Sequence, residues 1–178
     1  MLDKAYKLSS EGKNDKAIEA YTKIIHHNIT LQLAYYNRGL NYLEIKKYDK
    51  ALWDFNKVMA LNTQDGYIVT YNKEMPFAGE EVKYQVSYFD ALYQRAQVKY
   101  YMDSLQSSFI DFQKLVNNNY QYKCNCILWQ GQILAESGKK DKGCEYFEKS
   151  KGFALTDEDR DDINKMLETY CKQTKNNR

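Results

Sequence analysis

Side chains that could do chemistry are few in this chain, and their spacing argues against it. The two histidines, His26 and His27, are adjacent, so on a helix they point about a quarter-turn apart. They fall where a helix ends, and there an imidazolium meets the carbonyl end of the helix dipole. No motif sets either beside a nucleophile or a ligand cluster, which leaves general-base duty unsupported. Cys124, Cys126, Cys144 and Cys171 lack the paired Cys-x-x-Cys spacing of a zinc site. They are expected to be free thiols acting as small apolar fillers, a usage that suits a reducing compartment. Asp157, Asp159, Asp161 and Glu168 occupy places one, three, five and twelve of a calcium loop. Place six of such a loop is a glycine, however, and here it is Asp162. Gly131, Gly138 and Lys139 imitate a phosphate loop with six intervening residues where four are required, and Lys140 stands where Ser or Thr belongs. The expectation is a protein that is not an enzyme and that has no metal and no cofactor.

The residues between these false leads repeat. GKNDKAIEAYTKII around Ala17 and KKYDKALWDFNKVM around Ala51 lie 34 residues apart. In each, a small residue is followed four places later by an aromatic, Tyr21 and Phe55, so that both stack on one helical face. Gly39 sits twelve residues before Ala51, where a preceding helix needs a small residue for close approach. The register continues through Ala96, Ser108 and Phe112, and again through Gly131, Gly143 and Phe147. The small residues of the second helices, at 17, 51, 108 and 143, are thus spaced by 34, 57 and 35.

This pattern resembles the tetratricopeptide repeat. The resemblance implies an all-α, right-handed α-solenoid of four helical hairpins, at about 1–31, 32–65, 89–122 and 124–155, forming one domain over 1–178. The first-helix Trp and the closing Pro of the family are absent from these repeats. The long middle step places an insertion at about 64–88. There Tyr67, Val69 and Tyr71, then Val82, Tyr84 and Val86, alternate with other residues, with Pro76 and Gly79 between the runs. Period two suggests a β-hairpin. Val82, Val86, Phe89, Tyr93 and Ala96 also recur at helical spacing, so an early start of the following helix fits the same residues. Ser87 with Asp90 and Thr156 with Asp159 have capping-box spacing. The second of these pairs opens a capping helix expected at about 157–174, as a solenoid end requires.

By the same resemblance, partner contacts belong to the inward side chains of the first helices: Tyr6, Tyr36, Asn37, Leu40, Tyr93, Gln97, Tyr100, Tyr101 and Gln132. Tyrosine presents a large ring with a hydroxyl at its edge, which suits a peptide segment or a partner protein's surface. Family members that clamp a chaperone's terminal carboxylate do so with Lys, Asn and Arg. The corresponding residues here are Leu2, Tyr6, Asn37, Asp90 and Gln94, and of the clamp set Asn37 alone survives. With no cation at these places, a terminal carboxylate is a poor ligand, so this is not expected to be a chaperone-tail adaptor. A dedicated binder of one folded protein, of secretion-chaperone or toxin-immunity type and using the insertion, is the alternative.

The net charge of +2 gives no general attraction for polyanions, which disfavours nucleic acid as a partner. Lys139, Lys140 and Lys142 read as a solvated helix start. The N-terminal stretch has no apolar run, so neither a secretory signal nor a membrane span is expected, and the chain reads as cytoplasmic. Nothing in the sequence sets an oligomeric state.

Overall fold

A computed structural model describes residues 1–62 and 86–172. They form α-helices α1 (Leu2–Ser10), α2 (Asn14–His27), α3 (Gln32–Glu44), α4 (Tyr48–Leu61), α5 (Tyr88–Tyr101), α6 (Leu105–Asn117), α7 (Lys123–Glu136), α8 (Lys140–Ser150) and α9 (Asp157–Tyr170), with one 3₁₀ turn at Lys151–Phe153. The described residues are therefore all-α, and within each of two compact units successive helices pack as tetratricopeptide-like hairpins. The chain divides into two compact units, Met1–Met102 and Asp103–Arg178.

The hairpin turns share one chemistry. Gly12, Lys46, Asp103 and Gly138 all have positive φ, between 57° and 81°. At Gly12 the chain closes the helix by bonding the Gly12 N–H to the Ser9 carbonyl and the Lys13 N–H to the Leu8 carbonyl. Lys46 with Lys47 and Gly138 with Lys139 repeat that pattern, which satisfies the orphan carbonyls of a helix C-terminus. Glycine adopts this conformation at no steric cost, whereas Lys46 and Asp103 adopt it with a Cβ.

In the first unit, Ala17, Tyr21, Ala34, Ala51, Phe55 and Val98 are fully buried or nearly so. Gly39 is the crossing point of α3 and α4: a Cβ there would lie 2.9 Å from the Phe55 ring and 3.2 Å from Asp54 Cβ. In the second unit the α7–α8 crossing is closer still. A Cβ on Gly143 would meet the Gly131 carbonyl at 2.7 Å and Ala135 Cβ at 2.9 Å. Gly143, a weak helix former by propensity, is there because backbone touches backbone.

The β-hairpin expected around Tyr67 to Tyr84 lies outside the described residues. Val86 and Ser87, however, precede α5 and are not helical, so an early start of that helix does not extend through them. The Ser87 hydroxyl instead accepts from the Phe89 N–H at 3.2 Å and caps α5. Both flanks of the inserted segment are pinned. Gln32 Nε2 donates to the Leu61 carbonyl at 2.7 Å, its Oε1 accepts from the Val86 N–H at 3.1 Å, and Asn62 Nδ2 donates to the Val86 carbonyl at 2.7 Å.

The expected capping helix is α9, and its predicted capping box forms. Thr156 Oγ1 accepts from the Asp159 N–H at 3.1 Å, while Asp159 Oδ2 accepts from the Thr156 and Leu155 N–H groups at 2.9 and 2.8 Å. The cysteine expectation needs correction. Cys124 and Cys126 are buried free thiols, but Cys144 and Cys171 are joined in a disulfide, with their Cα atoms 5.9 Å apart. Spacing along the chain does not reveal this pair, because α9 folds back and brings Cys171 to α8. Cysteine usage consequently no longer argues for a reducing compartment. No helix among the described residues is long and apolar enough to cross a membrane.

Candidate functional site

Within the first unit, α1 touches α3 and α3 touches α5, so the first helices of successive hairpins form a row. That row carries eight of the nine residues expected to meet a partner. Tyr6 is exposed at 59% and Tyr101 at 48%. Asn37, Leu40, Tyr93, Gln97 and Tyr100 are half-buried. Tyr36 is half-buried as well, and its ring meets Phe55 edge-on at 5.8 Å. Leu40 packs beside it against Ala51, Phe55 and Val98. Tyr36 and Leu40 thus belong as much to the α3–α4–α5 core as to the surface, and truncating Tyr36 would open a hole over Phe55. At the far end of α5, Tyr101 stacks on Tyr48 at 5.6 Å with 12° between the planes, and Tyr100 meets Tyr101 edge-on at 5.5 Å. Burial, then Tyr48 and Glu44, pushes the Tyr101 hydroxyl above its usual range, so it stays a neutral donor.

Beneath this row lies a buried polar knot. Asn41, 3% exposed, donates from Nδ2 to Ser9 Oγ at 2.8 Å and to the Asn37 carbonyl at 2.7 Å. The Asn41 Oδ1 and the Tyr21 hydroxyl are buried without a hydrogen bond of ordinary geometry, although the Tyr21 hydroxyl lies beside the Ser9 and Asn37 side chains. Burial is the main reason its pKa is raised. The corresponding aromatics of the other repeats are Phe55, Phe112 and Phe147. Only repeat one places a hydroxyl at this point, next to the side chain of Asn37.

A second polar feature was not anticipated from sequence. Arg38 forks onto Asp54, Nε to Oδ2 at 2.9 Å and an Nη to Oδ1 at 2.8 Å, and its other Nη donates to Thr22 at 3.1 Å. Asp54 is fully buried, and Tyr35 and Tyr42 flank the guanidinium at 5.6 and 5.8 Å. Burial pushes the Asp54 carboxyl up while Arg38 pulls it down. The pair ties α2, α3 and α4 together. A sequence signal existed: Arg and Asp stand sixteen residues apart at 38 and 54 and, in the same register, at 95 and 111.

Gln132, the ninth expected residue, lies in the second unit. Its Nε2 donates to Glu136 Oε1 at 2.9 Å, which also accepts from the Tyr170 hydroxyl at 2.8 Å. Burial, with Glu136 adding to it, pushes that hydroxyl up to about 12. Two neighbouring side chains of α7 also serve the fold, Leu128 packing beneath α9 and Ala135 meeting Gly143. Among the described residues no group of His, Cys, Asp and Glu could hold a metal ion.

No family model matches the sequence, and no curated protein matches it. Solved structures do match. A crystal structure of MamA is 19% identical, with a TM-score of 0.66 over 93% of this chain and 83% of that one. A MamA fragment from Desulfovibrio magneticus RS-1 is 13% identical, with a TM-score of 0.68 over 94% and 81%. YrrB, described as a TPR protein with an unusual peptide-binding site, is 18% identical, with a TM-score of 0.61 over 93% and 80%. The chain has the tetratricopeptide-repeat fold over nearly its whole length.

Proposed function

We propose that the protein is an interaction module, without enzymatic activity, which binds a peptide segment or the surface of a partner protein on the α1–α3–α5 row of its first unit. The observation that carries this reading is the row itself. Tyr6, Tyr93, Tyr100 and Tyr101 offer rings, and Asn37 and Gln97 offer amides, on three adjacent helices. Rings give contact area at low entropic cost, and amides pair with a partner's backbone. None of the nine expected contact residues carries a charge, so the ligand is an internal segment or a folded surface and not a charged chain terminus. That YrrB is a peptide-binding protein of the same fold supports a peptide as ligand.

A second reading has its own support. Gln32 and Asn62 hold Leu61, Asn62 and Val86 together, so the two flanks of residues 63–85 are joined at one place on the first unit. A segment presented in that way suits an extra contact with one dedicated folded partner. The test is capture with quantitative mass spectrometry followed by titration of the purified partner. Wild type is compared with a Tyr6→Ala/Gln97→Ala variant and with a deletion of residues 66–83 that keeps both pinned flanks. A tenfold or larger loss in the double variant alone supports the row, and a loss in the deletion alone supports the dedicated binder. Binding unaffected by both changes would refute both readings.

A further inference from the structure

We propose that the Cys144–Cys171 disulfide is a redox latch that holds the C-terminal helix on the second unit. The inference is independent of what the first unit binds. Three observations meet here. First, α9 has a slight grip of its own: Ile163 is its sole fully buried side chain, helped by the half-buried Met166, Leu167 and Tyr170 and by the Tyr170–Glu136 hydrogen bond. A helix of fourteen residues is marginal once undocked. Second, the bridge sits at the end of α9 opposite its capping box. The chain before α9 is held by the local bond from the Leu155 N–H to Asp159 Oδ2 and by Phe153 and Ala154, which pack against α7 with Lys123 over the Phe153 ring at 4.7 Å, so that end stays anchored as the hinge and Cys171 is the catch. Third, the chemistry is confined to one couple. Both bridged cysteines are half-buried, whereas Cys124 and Cys126 are buried, their thiols pushed up mainly by burial to about 11 and about 12. So few thiolates form there that neither attacks the bridge from within.

Reduction by a dithiol transfers two electrons and two protons to the bridge. The Cys144–Cys171 S–S bond breaks, two thiols form, and the reductant becomes a cyclic disulfide. Without its catch α9 opens from the Cys171 end and uncovers Leu128, Phe147 and Cys124, the apolar face that it covers when latched. The occupant of that face is α9 itself.

Hydrogen exchange measured by mass spectrometry tests this on the full chain, with and without 10 mM dithiothreitol and alongside a Cys171→Ser variant. Exchange of amides in the second half of α9 should rise on the order of 100-fold on reduction, with Cys171→Ser matching the reduced protein and not responding further to reductant. The α7 amides should keep their protection. Unchanged α9 exchange on reduction would overturn the latch. So would a joint loss of protection across α7, α8 and α9, which would make the bridge a general staple. Alkylation mass spectrometry without reductant supplies the second check, and four free thiols in the purified protein would end the proposal.

Discussion

At the scale of single residues, small side chains do most of the positional work. Gly39→Ala puts a methyl 2.9 Å from the Phe55 ring. Ala is the better helix former by about 1 kcal/mol, but overpacking costs about 1–3 kcal/mol, so the variant should melt at a lower temperature. Gly143→Ala should lose more, because the nearest obstacle is the Gly131 carbonyl and a backbone cannot swing aside. Equal or raised melting temperatures in both would contradict the assigned crossings. These glycines were legible in the sequence because the twelve-residue spacing of Gly39–Ala51 recurs in Ala96–Ser108 and Gly131–Gly143 and points to one packing position. The Arg38–Asp54 fork was not, since a lone Arg or Asp reads as surface until a second repeat is laid beside the first. Removing one partner strands a buried charge, and Asp54→Ala should cost about 3–5 kcal/mol, measurable by urea unfolding. Tyr21→Phe probes the polar knot. Stability should hold or rise, because a hydroxyl buried without a hydrogen bond of ordinary geometry is removed, and a lower melting temperature would contradict this.

At the scale of elements, the turns and caps carry predictions of their own. Gly12 and Gly138 occupy the left-handed turn position that Lys46 also occupies with φ 57°. Lys46→Gly should therefore stabilise the first unit by about 1 kcal/mol, seen as a higher denaturant midpoint. The capping box of α9 sets a pH dependence. Burial opposes ionisation of Asp159, but hydrogen bonds from the Thr156 and Leu155 N–H groups outweigh it and hold the carboxyl below the usual range. A depressed carboxylate contributes stability that is fully present above its unfolded pKa near ~4 and is lost as pH falls through the folded value. Asp159→Asn should cost about 0.5–1 kcal/mol at neutral pH, and the difference should vanish in acid. A gap that stays constant down to pH 2 would contradict the cap. Thr156 and Asp159 were readable because a cap is a local pattern of four residues. The disulfide was not: Cys144 and Cys171 are 27 residues apart, and only the folding back of α9 makes them neighbours.

At the scale of the whole molecule, an all-α array of helical repeats closed by a capping helix was anticipated, and the described residues are all-α, with successive helices packed in this way within each unit. Periodicity is a property of the entire chain and survives low identity, which is why the fold was legible although the matching structures share under a fifth of its residues. The contact face was legible only in part. Inward position along a first helix is a matter of register, but register does not say whether a side chain meets a partner or the next hairpin. Tyr36 leans on Phe55 and Leu128 lies under α9, whereas Tyr6 stands in solvent.

The most direct measurement is a titration of the captured partner by calorimetry against wild type and the Tyr6→Ala/Gln97→Ala variant, both shown by thermal melts to be equally folded. An affinity reduced tenfold or more, equivalent to about 1.4 kcal/mol, is the result expected if the α1–α3–α5 row is the binding face. An unchanged affinity in a folded variant would contradict it.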